Sequence, residues 1–400
     1  MAAPVLDRAA GRAHDHGAST GVIKFQAPEV VFGAGSLSEA GFAARRLGAV
    51  RPFVVTDAGL TAAGWADRLI GHLREAAFDP TVWCGVTPNP KDHEIHEGYL
   101  RYLESGCDVL IALGGGSCMD AAKGIAILSS NGGTILDYAG VDRVTRAIPP
   151  MLMIPTTAGT GADVSQFCII TDTLNSVKVT IMGRALVPDI SLTDPTVLTT
   201  MPDDLAAATG LDALTHGIEA YVSRAHNPLT DGHALSAVRL VFGNLSQMID
   251  TRESSTHRDN MAQASLEAGL AFSNAILGAT HAMSHQVGGL LDLPHGVVNG
   301  VLLPHVIRFN AAGGAERFVP LAGMAGLCGG VPADEVGDLL ADEVRGVADR
   351  LGVPKGLAEL GVHETDIPTL ATNAMADACL STNPRDVTTD DLADLFRAAL

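Results

Sequence analysis

Two textures of apolar and polar positions divide the chain. Through the first half, short apolar runs at 52–56, 81–86, 108–113 and 151–154 have the length and bounding turns of buried strands. Between and before them, 36–47, 65–77, 93–103 and 119–128 carry apolar residues at helical spacing, such as Leu69 and Leu73 one turn apart. Strands and helices taking turns in this way imply a mostly parallel sheet covered on both faces. A strand or hairpin is expected within 24–32, and the strand-like runs 167–171, 177–182 and 190–193 are expected to extend the sheet with mixed directions. After Pro195 no strand run remains. Helical patterns fill 203–223, 228–249, 258–275, 279–291, 297–311, 333–351 and 389–399. The expected organisation is an α/β domain over 21–194 and an all-α domain over 195–400, with residues 1–20 as a disordered or extended leader.

Composition narrows the function. The chain has 400 residues, 47% of them hydrophobic, enough for two cores. A net charge of -19 repels phosphates, so no nucleic acid and no anionic membrane surface is expected as a partner. No apolar run is long enough to span a bilayer, and the first residues lack the apolar stretch of a secretory signal. Cysteines 84, 107, 118, 168, 328 and 379 are scattered without a C-x-x-C pair, as expected of reduced thiols in the cytoplasm.

Three places carry candidate chemistry. Asp212 and His216 are four apart, so a helix puts carboxylate and imidazole on one face. His281 and His285 repeat that spacing, and His295 follows between a proline and a glycine that mark a helix start. Asp212, His216, His281 and His295 together suit a divalent first-row metal with an open position. Taken singly, each is also an ordinary helix residue bonded to a neighbour. The second place is the turn Gly114-Gly115-Gly116-Ser117 between strand and helix. Glycines there admit a ligand close to the backbone, and the helix start offers free N–H groups to a pyrophosphate. Ser117 is equally a helix cap, and Asp120 and Lys123 an ordinary i,i+3 ion pair. The third is the loop Pro155-Thr156-Thr157-Ala158-Gly159-Thr160-Gly161, hydroxyls and glycines closing a strand. Asp57, at another strand end, is either a turn residue or an acceptor for ribose hydroxyls that disfavours a 2′-phosphate, and so favours NAD over NADP.

Gly-Gly-Gly-Ser-x-x-Asp-x-x-Lys (114–123), Pro-Thr-Thr-Ala-Gly-Thr (155–160), Asp-x-x-x-His (212–216) and His-x-x-x-His-x(9)-His (281–295), in this order, resemble the iron-containing, group III alcohol dehydrogenases. The resemblance runs from about Phe25 to the end. It implies an α/β N-terminal dinucleotide-binding domain, an all-α C-terminal metal-binding domain, and a cleft between them. By position it implies Asp212, His216, His281 and His295 as metal ligands, Fe(II) by family habit, although the donor set also accepts Zn(II). It implies His285 as a proton relay that does not ligate. It places Asp57, Asn89, Gly115, Gly116, Ser117, Asp120, Thr156, Thr157, Thr160, Lys178 and Leu198 against the cofactor, and Phe272 and Cys379 in the substrate pocket. Cys118, where the family often has proline, and Asp163, where it often has glutamate, depart from the pattern. The function implied is hydride transfer between a primary alcohol or aldehyde and NAD by a homodimer or larger homo-oligomer. The alternatives are a polyol or diol dehydrogenase of the same fold, a cyclising synthase, or a regulator that binds NAD or alcohol without turnover. The synthase would need a basic pocket, and Lys355 is the only lysine after residue 195.

Overall fold

Runs of Val, Ile, Leu and Met between glycine and proline breaks form the strands of the sheet, because β-branched and long apolar side chains fit a surface buried on both sides. The structure, a computed structural model, describes residues 23–327 and 332–400; the leader expected at 1–20 lies outside them. Six strands, β1 (Glu29–Phe32), β2 (Pro52–Val55), β3 (Thr81–Trp83), β4 (Val109–Gly114), β6 (Met151–Pro155) and β9 (Ile190–Thr193), make one parallel sheet in the order β1-β9-β6-β4-β2-β3. Every residue of β4 and β6 is buried. Helices α1 (Ala40–Arg46), α2 (Ala58–Ala62), α3 (Trp65–Glu75), α4 (Asp92–Glu104) and α5 (Gly116–Asn131) connect and cover it.

The strands expected as mixed extensions of this sheet behave differently. β5 (Gly140–Val141), β7 (Phe167–Asp172) and β8 (Val177–Met182) form a separate sheet in the order β5-β8-β7, with β7 and β8 antiparallel. Lys123 on α5 anchors the segment that leads into this sheet. Its fully buried Nζ donates to the carbonyls of Ala162 (2.7 Å), Ser165 (2.8 Å) and Phe167 (2.8 Å), which ties the start of β7 to the helix instead of to the main sheet. Three charge-assisted hydrogen bonds are what a buried ammonium requires. The expected ion pair with Asp120 is replaced by these bonds.

Beyond Pro195 the described residues are helical: α6 (Asp203–Val222), α7 (Pro228–Asp250), α8 (Ser255–Ala275), α9 (Ala279–Leu291), α10 (His295–Ala311), α11 (Phe318–Met324), α12 (Val336–Arg350), α13 (Ile367–Met375) and α14 (Thr389–Ala398). α11 and α13, with seven and nine residues, are too short for a periodicity window to detect. α6 is buried without a break from Ala206 to Val222. It therefore threads the middle of the helical core, and any charged group on it must find a partner there. No described helix is long and apolar enough to cross a membrane.

Candidate metal and cofactor site

α6 sets out Asp212, His216 and Glu219 along one buried face, at i, i+4 and i+7. α9 brings His281 and His285, and α10 begins at His295. Two glycines let these parts close on α6. A Cβ on Gly296 would lie 1.8 Å from the Ala208 carbonyl oxygen, and one on Gly159 would lie 2.0 Å from that of Thr209. The start of α10 and the 155–161 loop thus rest on the α6 backbone one turn before Asp212.

The four groups converge. Asp212 Oδ1 is 3.8 Å from His216 Nε2, 3.6 Å from His281 Nε2 and 3.7 Å from His295 Nε2. Each imidazole is anchored through its other nitrogen. Nδ1 of His216 is 3.2 Å from the Gly159 carbonyl oxygen, Nδ1 of His281 is 2.7 Å from Glu219 Oε2, and Nδ1 of His295 is 2.9 Å from Ser284 Oγ. A carbonyl and a carboxylate both require a proton on Nδ1, so the Nε2 positions of His216 and His281 face Asp212. Asn299, one turn after His295, sits among them. Its Nδ2 donates to Asp212 Oδ1 at 2.8 Å and lies 3.3 Å from His281 Nε2 and 3.2 Å from His295 Nε2, while its buried Oδ1 has no partner. One carboxylate and three ring nitrogens meet around a single amide, and with each Nε2 free of its proton they make a four-donor set. A divalent cation fits that donor set.

The electrostatics agree. Burial pushes the Asp212 carboxyl upward, but the imidazoles around it, His216 foremost, hold it well below the usual carboxylate range. Burial lowers His216 to about 4 despite Asp212, and carries His295 well below the ordinary histidine value. His281 is the exception. Burial lowers it, but its bonds to Asp212 and Glu219 outweigh that and raise it to about 9. The two carboxylates thus favour the doubly protonated ring of His281.

Glu219 is the residue that a four-ligand reading of the sequence overlooks. Its oxygens also accept the backbone N–H of Gly278 (3.1 Å) and Thr280 (2.6 Å), so it caps α9 and orients His281 at once. Its i+7 spacing from Asp212 was the available signal. Asn299, at i+4 from His295, offered a similar one. Asp377 offered none; it reaches His285 Nδ1 with Oδ2 at 2.8 Å from 92 residues away.

A cavity of about 1240 Å³ runs from this centre to the C-terminal ends of β2 and β4. β2 and β4 are neighbours whose onward strands, β3 and β6, lie on opposite sides, which makes their shared end the switch point of the sheet. Asp57, Asn89, Gly115, Gly116, Ser117, Asp120, Thr156, Thr157, Thr160 and Lys178 all line it, as do Phe272 and Cys379. Leu198 does not. It packs in the helical core, and Val197, Thr200 and Met201 form the wall there, because the 3-10 turn Pro195–Thr200 points Leu198 inward. Ser117 is not the helix cap. Gly115 takes that position, and Ser117 Oγ accepts from the Asn89 N–H at 3.2 Å. A Cβ on Gly116 would come 3.1 Å from Thr160, so the glycine keeps a cradle open at the start of α5. Asp57 caps α2 through Oδ1, to Leu60 N at 2.9 Å. Asn89, at φ 54°, accepts from Lys178 Nζ at 2.7 Å and donates to Asp292 Oδ1 at 2.6 Å. Burial raises Asp120 to about 7 and lowers Lys178 to about 8. At the other end Phe272 stacks on His216, 4.2 Å between centroids, beside Phe167 and Leu277.

Comparison with known proteins follows the same outline. Residues 27–195 match the family described as iron-containing alcohol dehydrogenase, and 206–400 match the C-terminal part described for the Fe-containing alcohol dehydrogenase family. The chain is 41% identical to the 1,3-propanediol dehydrogenase of Citrobacter freundii, over 92% of this chain and 96% of that protein. It is 37% identical to the NAD-dependent methanol dehydrogenase of Bacillus methanolicus, over 94% and 99%. A crystal structure of a 1,3-propanediol oxidoreductase superposes with a TM-score of 0.92 at 38% identity, covering 95% of this chain and 100% of that one.

Proposed function

Given that the chain belongs to the iron-containing alcohol dehydrogenase family, we propose that Asp212, His216, His281 and His295 hold one divalent cation, Fe(II) before Zn(II), beside bound NAD. The enzyme interconverts alcohols and aldehydes. The finer reading is a primary alcohol as substrate and NAD, not NADP, as cofactor. The observation that carries the metal centre is the placing of three anchored imidazoles 3.6–3.8 Å from one carboxylate oxygen. A division near residues 194 and 195 into a nucleotide-binding and a metal-binding domain is part of the proposal, as are a cytoplasmic location and a homodimer or larger homo-oligomer.

When bound, the cation supplies Lewis acidity toward an alcohol oxygen and the nicotinamide supplies the hydride acceptor. The chain supplies placement. The N–H groups at the start of α5 would hold a pyrophosphate, and Thr156, Thr157, Thr160, Asn89 and Lys178 would line the ribose and nicotinamide end. Asp57 Oδ2, free of the helix-capping bond and met only by the weakly donating Cys118 thiol at 3.5 Å, would accept from ribose hydroxyls and repel a 2′-phosphate. Phe272, Phe167 and Leu277 make an apolar wall that excludes water and suits a short carbon chain. His285 donates Nδ1–H to Asp377, which leaves Nε2 to take up the proton the alcohol loses and pass it to solvent. A diol is the second reading, supported by the 1,3-propanediol dehydrogenase among the relatives.

Two measurements test this. Protein stripped of metal and refilled anaerobically with Fe(II) should form NADH from short primary alcohols and 1,3-diols, and the stripped protein should not. Turnover that is equal with and without metal would defeat the proposal. Cation affinity should also rise with pH. His281, at about 9 in the metal-free protein, must lose a proton for the cation to bind. The apparent affinity should therefore climb about tenfold per pH unit through neutrality and level off above pH 9. Chelator competition between pH 6 and 10 reads this directly, and a flat profile would remove His281 from the ligand set.

A further inference from the structure

A second group of donors borders the same cavity and has no place in the ligand set. His285 on α9, and Asp377 and Cys379 at the 3-10 turn Ala378–Thr382, each offer one atom, and the three atoms lie within 4.8 Å of one another. Asp377 is the hub. Its Oδ2 accepts from His285 Nδ1 at 2.8 Å, its Oδ1 accepts from the Cys379 backbone N–H at 2.9 Å, and the Cys379 thiol lies beside it. The side chains of His285 and Asp377 are only 5% and 4% exposed, yet His285 and Cys379 both line the cavity, so a small ion that enters the cavity meets them.

The geometry points to a second, inhibitory site here for a thiophilic divalent cation such as Zn(II), held by His285 Nδ1, an Asp377 oxygen and Cys379 Sγ. Imidazole, carboxylate and thiolate are three of the donors that zinc takes in tetrahedral sites, and a fourth position remains for water. Sulfur selects Zn(II) over Fe(II), which the four-ligand centre, with no sulfur, does not. The structural cost is small. Bonds of about 2.0–2.1 Å in a tetrahedron set neighbouring N and O ligands roughly 3.3 Å apart, and Nδ1 and Oδ2 already lie at 2.8 Å.

The protons balance. The thiol gives its proton to solvent, and the imidazole proton leaves Nδ1 for Nε2. One dication therefore replaces one proton, and the buried charge of the cluster goes from -1 to neutral. The same shift blocks function. With Nε2 protonated and Nδ1 coordinated, His285 has no position left to take up a proton. Binding at this cluster is independent of the proton role proposed for His285; inhibition depends on it. The plain structural reading is that Asp377 only orients His285 and caps the turn, with no affinity for metal.

The test uses metal-loaded holoenzyme carrying Cys84→Ser, which removes the thiol that is exposed among the described residues. Titration with Co(II) under argon should add one further equivalent, with a thiolate-to-cobalt charge-transfer band in the near ultraviolet and a parallel loss of activity. Cys379→Ser should remove the band and weaken the added equivalent by roughly tenfold or more. X-ray absorption on the unsubstituted Cys379 protein should show a sulfur neighbour at about 2.3 Å, and this measurement does not depend on how the variant folds. No band and no sulfur neighbour would overturn the site. A band that survives Cys379→Ser would assign the sulfur elsewhere. Sulfur ligation with undiminished activity would overturn the inhibitory role alone.

Discussion

His281→Ala is expected to lose bound metal and turnover together, the largest effect of any single replacement in the centre. The imidazole is pinned between Asp212 and Glu219. Three remaining donors bind a first-row cation far more weakly than four, and without its Lewis acidity several kcal/mol of barrier lowering disappear. Alcohol oxidation should fall by about a thousandfold or more. The fold should persist, because Glu219 still accepts from Gly278 and Thr280 and keeps α9 capped. Metal analysis and NADH formation on the same preparation, with circular dichroism as a control, decide the matter. A variant that retains both metal and rate would remove His281 from the ligand set.

Glu219→Gln should come second, and it separates a supporting role from a structural one. A glutamine has the same shape but turns one acceptor into a donor. That donor must face either the N–H of Thr280, which Oε1 accepts, or the N–H of Gly278 and the Nδ1–H of His281, which share Oε2. One buried donor is then left unpaired, at about 1–3 kcal/mol. The ring it no longer holds should cost about 10–100-fold in metal affinity. Thermal unfolding of the metal-free protein reads the first effect, and chelator competition reads the second. Lowered stability with unchanged affinity would make Glu219 a helix cap and nothing more.

How much of this was legible in the residues follows from the range of each signal. The alternation of apolar runs and helical stretches anticipated a parallel sheet followed by helices, since burial pattern is a local property. The separate β5-β8-β7 sheet was not legible. The start of β7 is tied to α5 by the ammonium of Lys123, 44 residues earlier, a contact that no local pattern encodes. The spacing of Asp212 and His216 set two candidate donors on one helix face, and α6 does carry them so. Leu198 shows the limit of position-matching: whether a residue beside the cavity faces it or the core depends on the twist of one 3-10 turn.

What the sequence by itself determined is therefore what neighbours in the chain can enforce: strands against helices, the glycine turn opening α5, and the donor pairs one turn apart. Only the tertiary structure decided that His216, His281 and His295 point at a single oxygen of Asp212, that Glu219, Ser284 and Gly159 hold their outer nitrogens, and that Asp377 sits behind His285. The physical reason is that a side chain's direction is set by what packs against it. Across α6, α9 and α10 that packing is made by backbone contacts, such as Gly296 against Ala208, between residues 88 positions apart, and no local pattern encodes them.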